Sequence, residues 1–190
     1  MRKLTHREIQ TRQIKKTTEP RIPACVLLNN IRSLYNVGSI FRTADGVGLE
    51  KVWLCGITGY PPNAEISKVA LSADQRVAWD YRKDPVALAK ELKKSGYQIV
   101  LLEQTEKSIS HDEFVPKFPV CLIVGHEVMG VADELVHLSD AAIEIEMAGV
   151  KNSLNVAVAF GVVAYRWRGC FKHNSLSVET PGRTSLRQIR

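Results

Sequence analysis

The chain has 190 residues, of which 45% are hydrophobic and 24% charged, and this fits one globular domain with short extensions. The same balance excludes disorder along the whole chain, and no apolar run approaches the roughly 20 residues that cross a bilayer. The first residues, MRKLTHRE, lack the apolar core of a secretory signal, so the cytoplasm is the expected compartment. Four separated cysteines without a C-x-x-C pair predict buried free thiols rather than a zinc or redox motif.

The formal net charge of +6 is concentrated at the two ends of the chain. Basic side chains far outnumber acidic ones in residues 1–21 and again in 166–190. Such ends suit a polyanion such as RNA, although solvated basic tails are the alternative. The predicted organisation is a basic arm over residues 1–22, one domain over 23–170 and a basic tail over 171–190.

Short apolar runs predict buried strands, and the stretches of helical period between them predict helices. In chain order these are a strand at 24–28, a helix at 36–48, a strand at 52–55, a weaker strand at 76–80, a helix at 84–95, strands at 97–102 and 120–124, a helix at 131–138, a strand at 142–145 and a helix at 153–167. The last helix is apolar almost all round, which indicates burial on most sides or a subunit interface. The alternation predicts an α/β fold with a mostly parallel sheet and helices on both faces.

Polar residues and glycines follow three of the predicted strands, where open α/β sheets bind ligands. These loops cover residues 29–44, 125–131 and 146–157. The first strand is not followed by G-x-G-x-x-G, and the chain has no G-x-x-x-x-G-K-[ST], which disfavours a dinucleotide-binding fold and excludes a P-loop. The spacings of a Ser-His-Asp hydrolase and of a two-histidine metal site are also missing, so no metal site is predicted.

Taken singly, the polar residues and glycines of these loops also have purely structural explanations. The alternatives are helix caps for Asn36, Glu127, Ser153 and Asn155, a surface position for Arg42, and turns for Gly125 and Gly130. The sequence leaves these alternatives open for each residue alone. The three loops taken together are more informative than any of these residues alone.

Together the three segments resemble the signature motifs of the SpoU (TrmH-like) branch of the SPOUT RNA methyltransferases. The run N-V-G-S-I-F-R-T-A at 36–44 resembles the first motif, and the apolar strand entering G-x-E-x-x-G at 122–130 resembles the second. The third is I-x-M followed by S-L-N-V-A-V-A at 145–159. The order and separation also agree with the family, and the resemblance spans roughly residues 24–169.

The resemblance implies a SPOUT-type fold with a C-terminal trefoil knot, an obligate homodimer, and methyl transfer from S-adenosylmethionine to a ribose 2′-hydroxyl of RNA. Periodicity alone would not have predicted a knot, since true knots are almost absent from proteins. The chain lacks a large separate RNA-binding domain, which favours tRNA over rRNA as the substrate. One departure from the family pattern is Glu146, which stands where many relatives have proline.

The resemblance also assigns roles to individual residues. Arg42 takes the place of the family's catalytic arginine, and we expect it to align the ribose and stabilise developing charge, because a guanidinium stays protonated. Asn36, Glu127, Ser153 and Asn155 complete the implied catalytic set. The implied cofactor-binding residues are Gln104, Thr105, Gly125, Gly130, Ile145, Met147, Ser153 and Leu154.

Two other functions remain open at this point. Base methylation by the same fold is one, and the S-L-N run of the third motif speaks against it. A non-catalytic RNA-binding protein is the other, and the presence of both Arg42 and Asn155 speaks against that.

Overall fold

Strands and helices alternate along the computed structural model, which describes residues 1–16, 19–126 and 129–178. Its strands are β1 (Ile22–Asn29), β2 (Leu49–Cys55), β3 (Ala78–Arg82), β4 (Gln98–Leu102), β5 (Ile109–Ser110), β6 (Val120–Val124) and β7 (Ala141–Glu144). Its helices are α1 (His6–Lys16), α2 (Leu34–Val47), α3 (Ala64–Ala70), α4 (Pro85–Lys94), α5 (Asp133–Leu138) and α6 (Val156–Val178), with a 3-10 turn at Ala73–Gln75. The strands form one sheet in the order β3-β2-β1-β6-β4-β7-β5, and their pairings are parallel. The predicted α/β class is confirmed.

The sheet is buried on both faces, and its central strands β1 and β6 are apolar at nearly every position. Val26 and Leu28 of β1 face the layer that contains α2, α3 and α6. Cys25 and Leu27 point the opposite way, toward α4 and α5, as the two-residue period of a strand requires. The four cysteines are free and buried, as predicted.

Local signals explain where the helices next to the sheet begin and end. Ser33 caps α2 by accepting a hydrogen bond from the Asn36 backbone N–H, and Gly48 ends that helix in the left-handed conformation. Asp84 caps α4, which begins with proline as the sequence suggests. The cap of α2 is therefore Ser33 rather than Asn36, which leaves the Asn36 side chain available for another contact.

The structure departs from the predicted elements in several places. β3 begins two residues later than predicted, and α3, the 3-10 turn and β5 were missed because such short elements display no clear period. α6 begins at Val156 and extends to Val178, into the segment assigned to the basic tail. Its last turns carry polar residues that hide the helical pattern, although Cys170 is buried and Phe171 packs on the core.

The N-terminal arm is joined to α6 where it enters the domain. The Arg168 guanidinium donates to the Glu19 carboxylate at 2.6 Å and to the Pro20 carbonyl at 3.0 Å. Lys172 lies 3.3 Å from the same carboxylate. In the described part of the chain, no helix is long and apolar enough to span a membrane.

Candidate active site

A cavity of about 700 Å³ opens at the carboxyl ends of β4, β6 and β7, which are neighbours in the sheet. This is the edge where parallel sheets bind ligands, and the volume suits a nucleoside-sized molecule. Its walls come from the loops that follow the three strands and from the start of α6. The lining residues are Leu102, Glu103, Gln104, Val124, Gly125, His126, Gly130, Glu144, Ile145, Asn152, Ser153, Leu154, Asn155, Val156 and Ala159.

The loop after β6 folds back on itself at the wall of the cavity, and its two glycines are required there. His126 and Gly130 exchange backbone hydrogen bonds of 3.1 and 2.9 Å. A Cβ on Gly125 would lie 2.5 Å from the Val131 nitrogen, and one on Gly130 would lie 2.6 Å from a Glu103 carboxylate oxygen. Gly130 also has a φ of +67°. Glycine is therefore required at both positions for this loop to fold back on itself and to pack against Glu103.

Asn155 joins the first motif to the third beside this cavity. Its Oδ1 caps α6 by accepting from the Ala157 N–H at 3.0 Å, and its Nδ2 donates to Asn36 Oδ1 at 3.1 Å. Asn36 is buried in α2, on the helix that packs against α6. Asn155 thus caps the start of α6, as the structural explanation predicts, and it also contacts a second polar side chain of the first motif.

Two acidic side chains line the described part of the cavity. Glu103 and Glu144 line it, and its described walls contain neither lysine nor arginine. The Glu144 carboxylate accepts a hydrogen bond from Ser108 Oγ at 2.5 Å. His126 Nδ1 accepts from the Met129 N–H at 3.2 Å. The negative field favours a cationic ligand over an anionic one.

The structure brings most of the sequence-predicted site residues together. The residues that line the cavity are Gln104, Gly125, Gly130, Ile145, Ser153, Leu154 and Asn155, and Asn36 reaches it through Asn155. Thr105 and Met147 are not among the lining residues; the Thr105 N–H and carbonyl both bond to Ser108 in the turn after β4. Arg42 is exposed on α2 and away from the lining. Glu127 lies outside the described residues.

Sequence reasoning did not select several lining residues. Glu103 follows β4, where the sequence already predicts cofactor contacts, although the predicted cofactor-binding set does not include it, and Glu144 could have been identified from its position at the end of β7. His126 could have been found from its place inside the second motif. Asn152 contributes through its backbone carbonyl, for which side-chain type gives no signal.

Two of the four buried cysteines have a raised thiol pKa. Burial raises the pKa of Cys55 to about 12, so this thiol stays protonated. The pKa of Cys121 is also raised, first by its hydrogen bond with Cys25 and then by burial.

No group of three or more potential metal ligands occurs among the residues that the structure describes.

Comparison with known proteins identifies the family of the chain. Residues 23–165 match the SpoU rRNA Methylase family. A tRNA (guanosine(18)-2′-O)-methyltransferase of Aquifex aeolicus is 31% identical over 81% of this chain and 75% of that protein. The Escherichia coli K12 protein of the same name is 29% identical over 77% of this chain and 62% of its own length.

Solved structures agree as well. The A. aeolicus TrmH/SpoU tRNA modifying enzyme superimposes with a TM-score of 0.78 at 27% identity, over 90% of this chain and 87% of that one. An AdoMet-bound rRNA methyltransferase from Sinorhizobium meliloti gives a TM-score of 0.73 at 26% identity, over 81% of this chain and 59% of its own. With its motifs around one cavity, the chain belongs to the SpoU rRNA Methylase family and is an S-adenosylmethionine-dependent methyltransferase.

Proposed function

We propose that this enzyme methylates a ribose 2′-hydroxyl of tRNA, with guanosine 18 as the first position to test. The observation that carries the proposal is the Asn155–Asn36 hydrogen bond, which links the first and third motifs at the cavity. The names of the A. aeolicus and E. coli relatives support both the ribose and the tRNA.

Both the backbone that lines the cavity and the charge of its side chains suit S-adenosylmethionine. Gly125 and Gly130 leave room for a ligand against the loop after β6, and Gln104, Ile145 and Leu154 line the remaining walls. Met147 and Thr105 would support these walls from outside. When bound, the cofactor supplies a methyl group on a positively charged sulfur, and the acidic lining suits that charge.

The chain's own residues then align the acceptor. Ser153 and Asn155 stand at the start of α6 and would position the ribose by hydrogen bonds, with Asn36 fixing the Asn155 amide. Glu127 would order the neighbouring loop. Arg42 would hold the ribose or phosphate and stabilise charge on the 2′-oxygen as its proton leaves.

Arg42 reaches this site in our proposal from a second copy of the chain. The described lining offers no basic side chain, and Arg42 is exposed on α2. Next to it, Thr43 contacts α6 at Gly161, where an added Cβ would lie 3.9 Å from the Thr43 methyl. The exposed side of α6 nearby is apolar, so a homodimer through this surface would bury it and bring two Arg42 side chains to the interface.

The apolar surface of α6 has a regular spacing. Val158, Val162 and Tyr165 of α6 are 54%, 38% and 59% exposed. Residues at this spacing share one helix face, opposite the buried Phe160, Val163, Ala164 and Trp167. This explains why α6 is apolar on nearly all sides.

Complementation between inactive variants tests the shared site. If Arg42 acts on the partner's cavity, a mixed dimer of Arg42→Ala and Asn155→Ala contains one intact site and regains activity on mixing. If Arg42 acts within its own chain, both sites of the mixed dimer stay defective and mixing restores nothing.

The remaining assignments form part of the same proposal. The arm at 1–22 and the tail at 171–190 would bind the RNA backbone, and the segment over 23–170 would form the knotted catalytic domain. The cytoplasm is the proposed compartment. The alternatives to this function are base methylation and non-catalytic RNA binding.

Methyl transfer from labelled S-adenosylmethionine to total tRNA and to rRNA, assayed separately, tests the proposal. Nucleoside analysis should identify a 2′-O-methylated nucleoside in the tRNA pool, and a transcript with the guanosine at position 18 replaced should lose it. A methylated base, or cofactor binding without transfer to either pool, would overturn the proposal.

A further inference from the structure

Two side chains at the end of β4 connect the loops on either side of the cavity. β4 lies between β6 and β7, so the residues after Leu102 stand between the loops that follow those strands. We propose that Glu103 and Gln104 are positioning residues that hold both loops in the geometry that binds the methyl donor. The inference rests on the proposed location of the donor in this cavity.

Glu103 accepts two backbone hydrogen bonds, and one of them holds the loop after β6. One carboxylate oxygen accepts from the Val131 N–H at 3.1 Å, and the other accepts from the Gln104 N–H at 3.0 Å. A carboxylate offers acceptors on both oxygens, whereas the amide of glutamine replaces one of them with a donor. That donor would face a backbone N–H, so the geometry requires glutamate at this position.

The loop is shaped to receive this carboxylate. A Cβ on Gly130 would lie 2.6 Å from the Glu103 oxygen that bonds Val131, so a larger residue would push the two apart. Val131 itself is buried, which limits the access of water to the bond. Hydrogen bonds to an ionised acceptor are stronger than neutral ones, and partial burial strengthens them further.

Gln104 holds the loop after β7. Its Nε2 donates to the Asn152 carbonyl at 2.7 Å, three residues before Asn155 begins α6. The backbone of Glu103 is anchored in turn, because its N–H donates to the Ile143 carbonyl of β7 at 3.0 Å. Adjacent side chains on one strand end thus brace the second and third motifs independently.

Donor titrations by calorimetry test this bracing. We expect Glu103→Gln to weaken S-adenosylmethionine binding at least about tenfold, and Gln104→Ala about threefold, because the first removes a charged hydrogen bond and the second a neutral one. At saturating donor, kcat and the KM for RNA should stay within about twofold of wild type. The matched control is Glu106→Gln, which removes the same charge from an exposed position in the same loop.

Amide hydrogen exchange without donor gives a second readout that does not depend on the reaction. Glu103→Gln should accelerate exchange at Val131, whereas Gln104→Ala should leave that amide unchanged. Gln104 is exposed, so its variant folds and keeps the inference testable if Glu103→Gln does not. Unchanged donor affinity in a folded variant, or an equal loss in Glu106→Gln, would overturn the inference. Failure to methylate tRNA would overturn only the proposed function.

Discussion

Residues of the family motifs occur both at the cavity and on the exposed face of α2 and α6. The two regions differ in whether a single chain supplies all of their contacts. The cavity is built from three adjacent strand ends whose loops are joined by internal hydrogen bonds, and one chain supplies its walls. The helical face presents Arg42 beside apolar side chains such as Val158 and Tyr165 that one chain leaves exposed. In the proposed function, one chain holds the donor, and a second copy supplies Arg42 for the transfer step.

The largest effect should come from Arg42→Ala. We expect methyl transfer to fall by about two to three orders of magnitude, as when one charge-stabilising group is removed, while the donor Kd stays within about twofold. Single-turnover transfer and donor titration measure the two quantities. Lys90→Ala, on the exposed side of α4, is the control. Equal losses in transfer and in donor affinity would contradict the separation between the two regions.

Placing a charge on the apolar row of α6 should act next. Val162→Glu puts a carboxylate into the proposed interface, so sedimentation should show a monomer, and transfer should fall by up to about two orders of magnitude because each site loses Arg42. Donor affinity should persist. Val115→Glu adds the same charge at an exposed valine elsewhere and should leave the assembly unchanged. A monomeric variant with full activity would show that one chain completes the site.

Two substitutions at Asn155 separate its structural and active-site roles. Asn155→Ala removes the α6 cap and should lower the free energy of unfolding by about 1 kcal/mol. Asn155→Asp keeps a good cap but lacks the donor to Asn36 Oδ1, so stability should be retained while transfer falls. Chemical denaturation and transfer assays measure the pair. Equal transfer in Asn155→Asp and wild type would contradict the role of the Asn36 contact.

The smallest expected effect is a dependence of stability on pH. It arises at Asp140, which lies far from both regions. Burial raises the pKa of Asp140, but the hydrogen bond from Lys93, the Ile99 N–H and the Lys93 charge outweigh it, so the pKa lies below its ordinary value. The stabilisation is therefore present above the unfolded pKa of about 3.9 and is lost as the pH falls through the lower folded value.

We expect Asp140→Asn to lower the free energy of unfolding at pH 7 by about 0.5 kcal/mol, since the pair is partly exposed to solvent. The difference from wild type should vanish near the acid end of the titration. Denaturant melts at several pH values provide the measurement, with Glu91→Gln on exposed α4 as the control. A difference that is constant with pH would contradict the electrostatic origin.

The core sheet and the cavity could be predicted largely from sequence because both depend on patterns of residue type. β1 and β6 are continuous apolar runs, and the glycines of the second motif mark the loop that approaches the ligand. α3 and β5 could not be predicted, because seven and two residues are too few to display a period. The order of the strands along the chain does not predict their order in the sheet. β6 pairs with β1, although β2 to β5 lie between them in the sequence.

The sequence also could not predict which side chains of the site contact each other. Asn36 and Asn155 are 119 residues apart, and their contact follows from the packing of α2 on α6. The carbonyl of Asn152 became relevant only through its bond to Gln104. Such contacts depend on three-dimensional placement rather than on residue type.

The order of the strands has a consequence for synthesis of the protein. The cavity is assembled from the ends of β4, β6 and β7, and β7 is inserted between β4 and β5, which both precede it in the chain. A nascent chain that has not yet exposed Ala141–Glu144 and the start of α6 outside the ribosome has only part of the binding surface. If the donor binds in this cavity as proposed, its full binding surface exists only after the start of α6 has been synthesised.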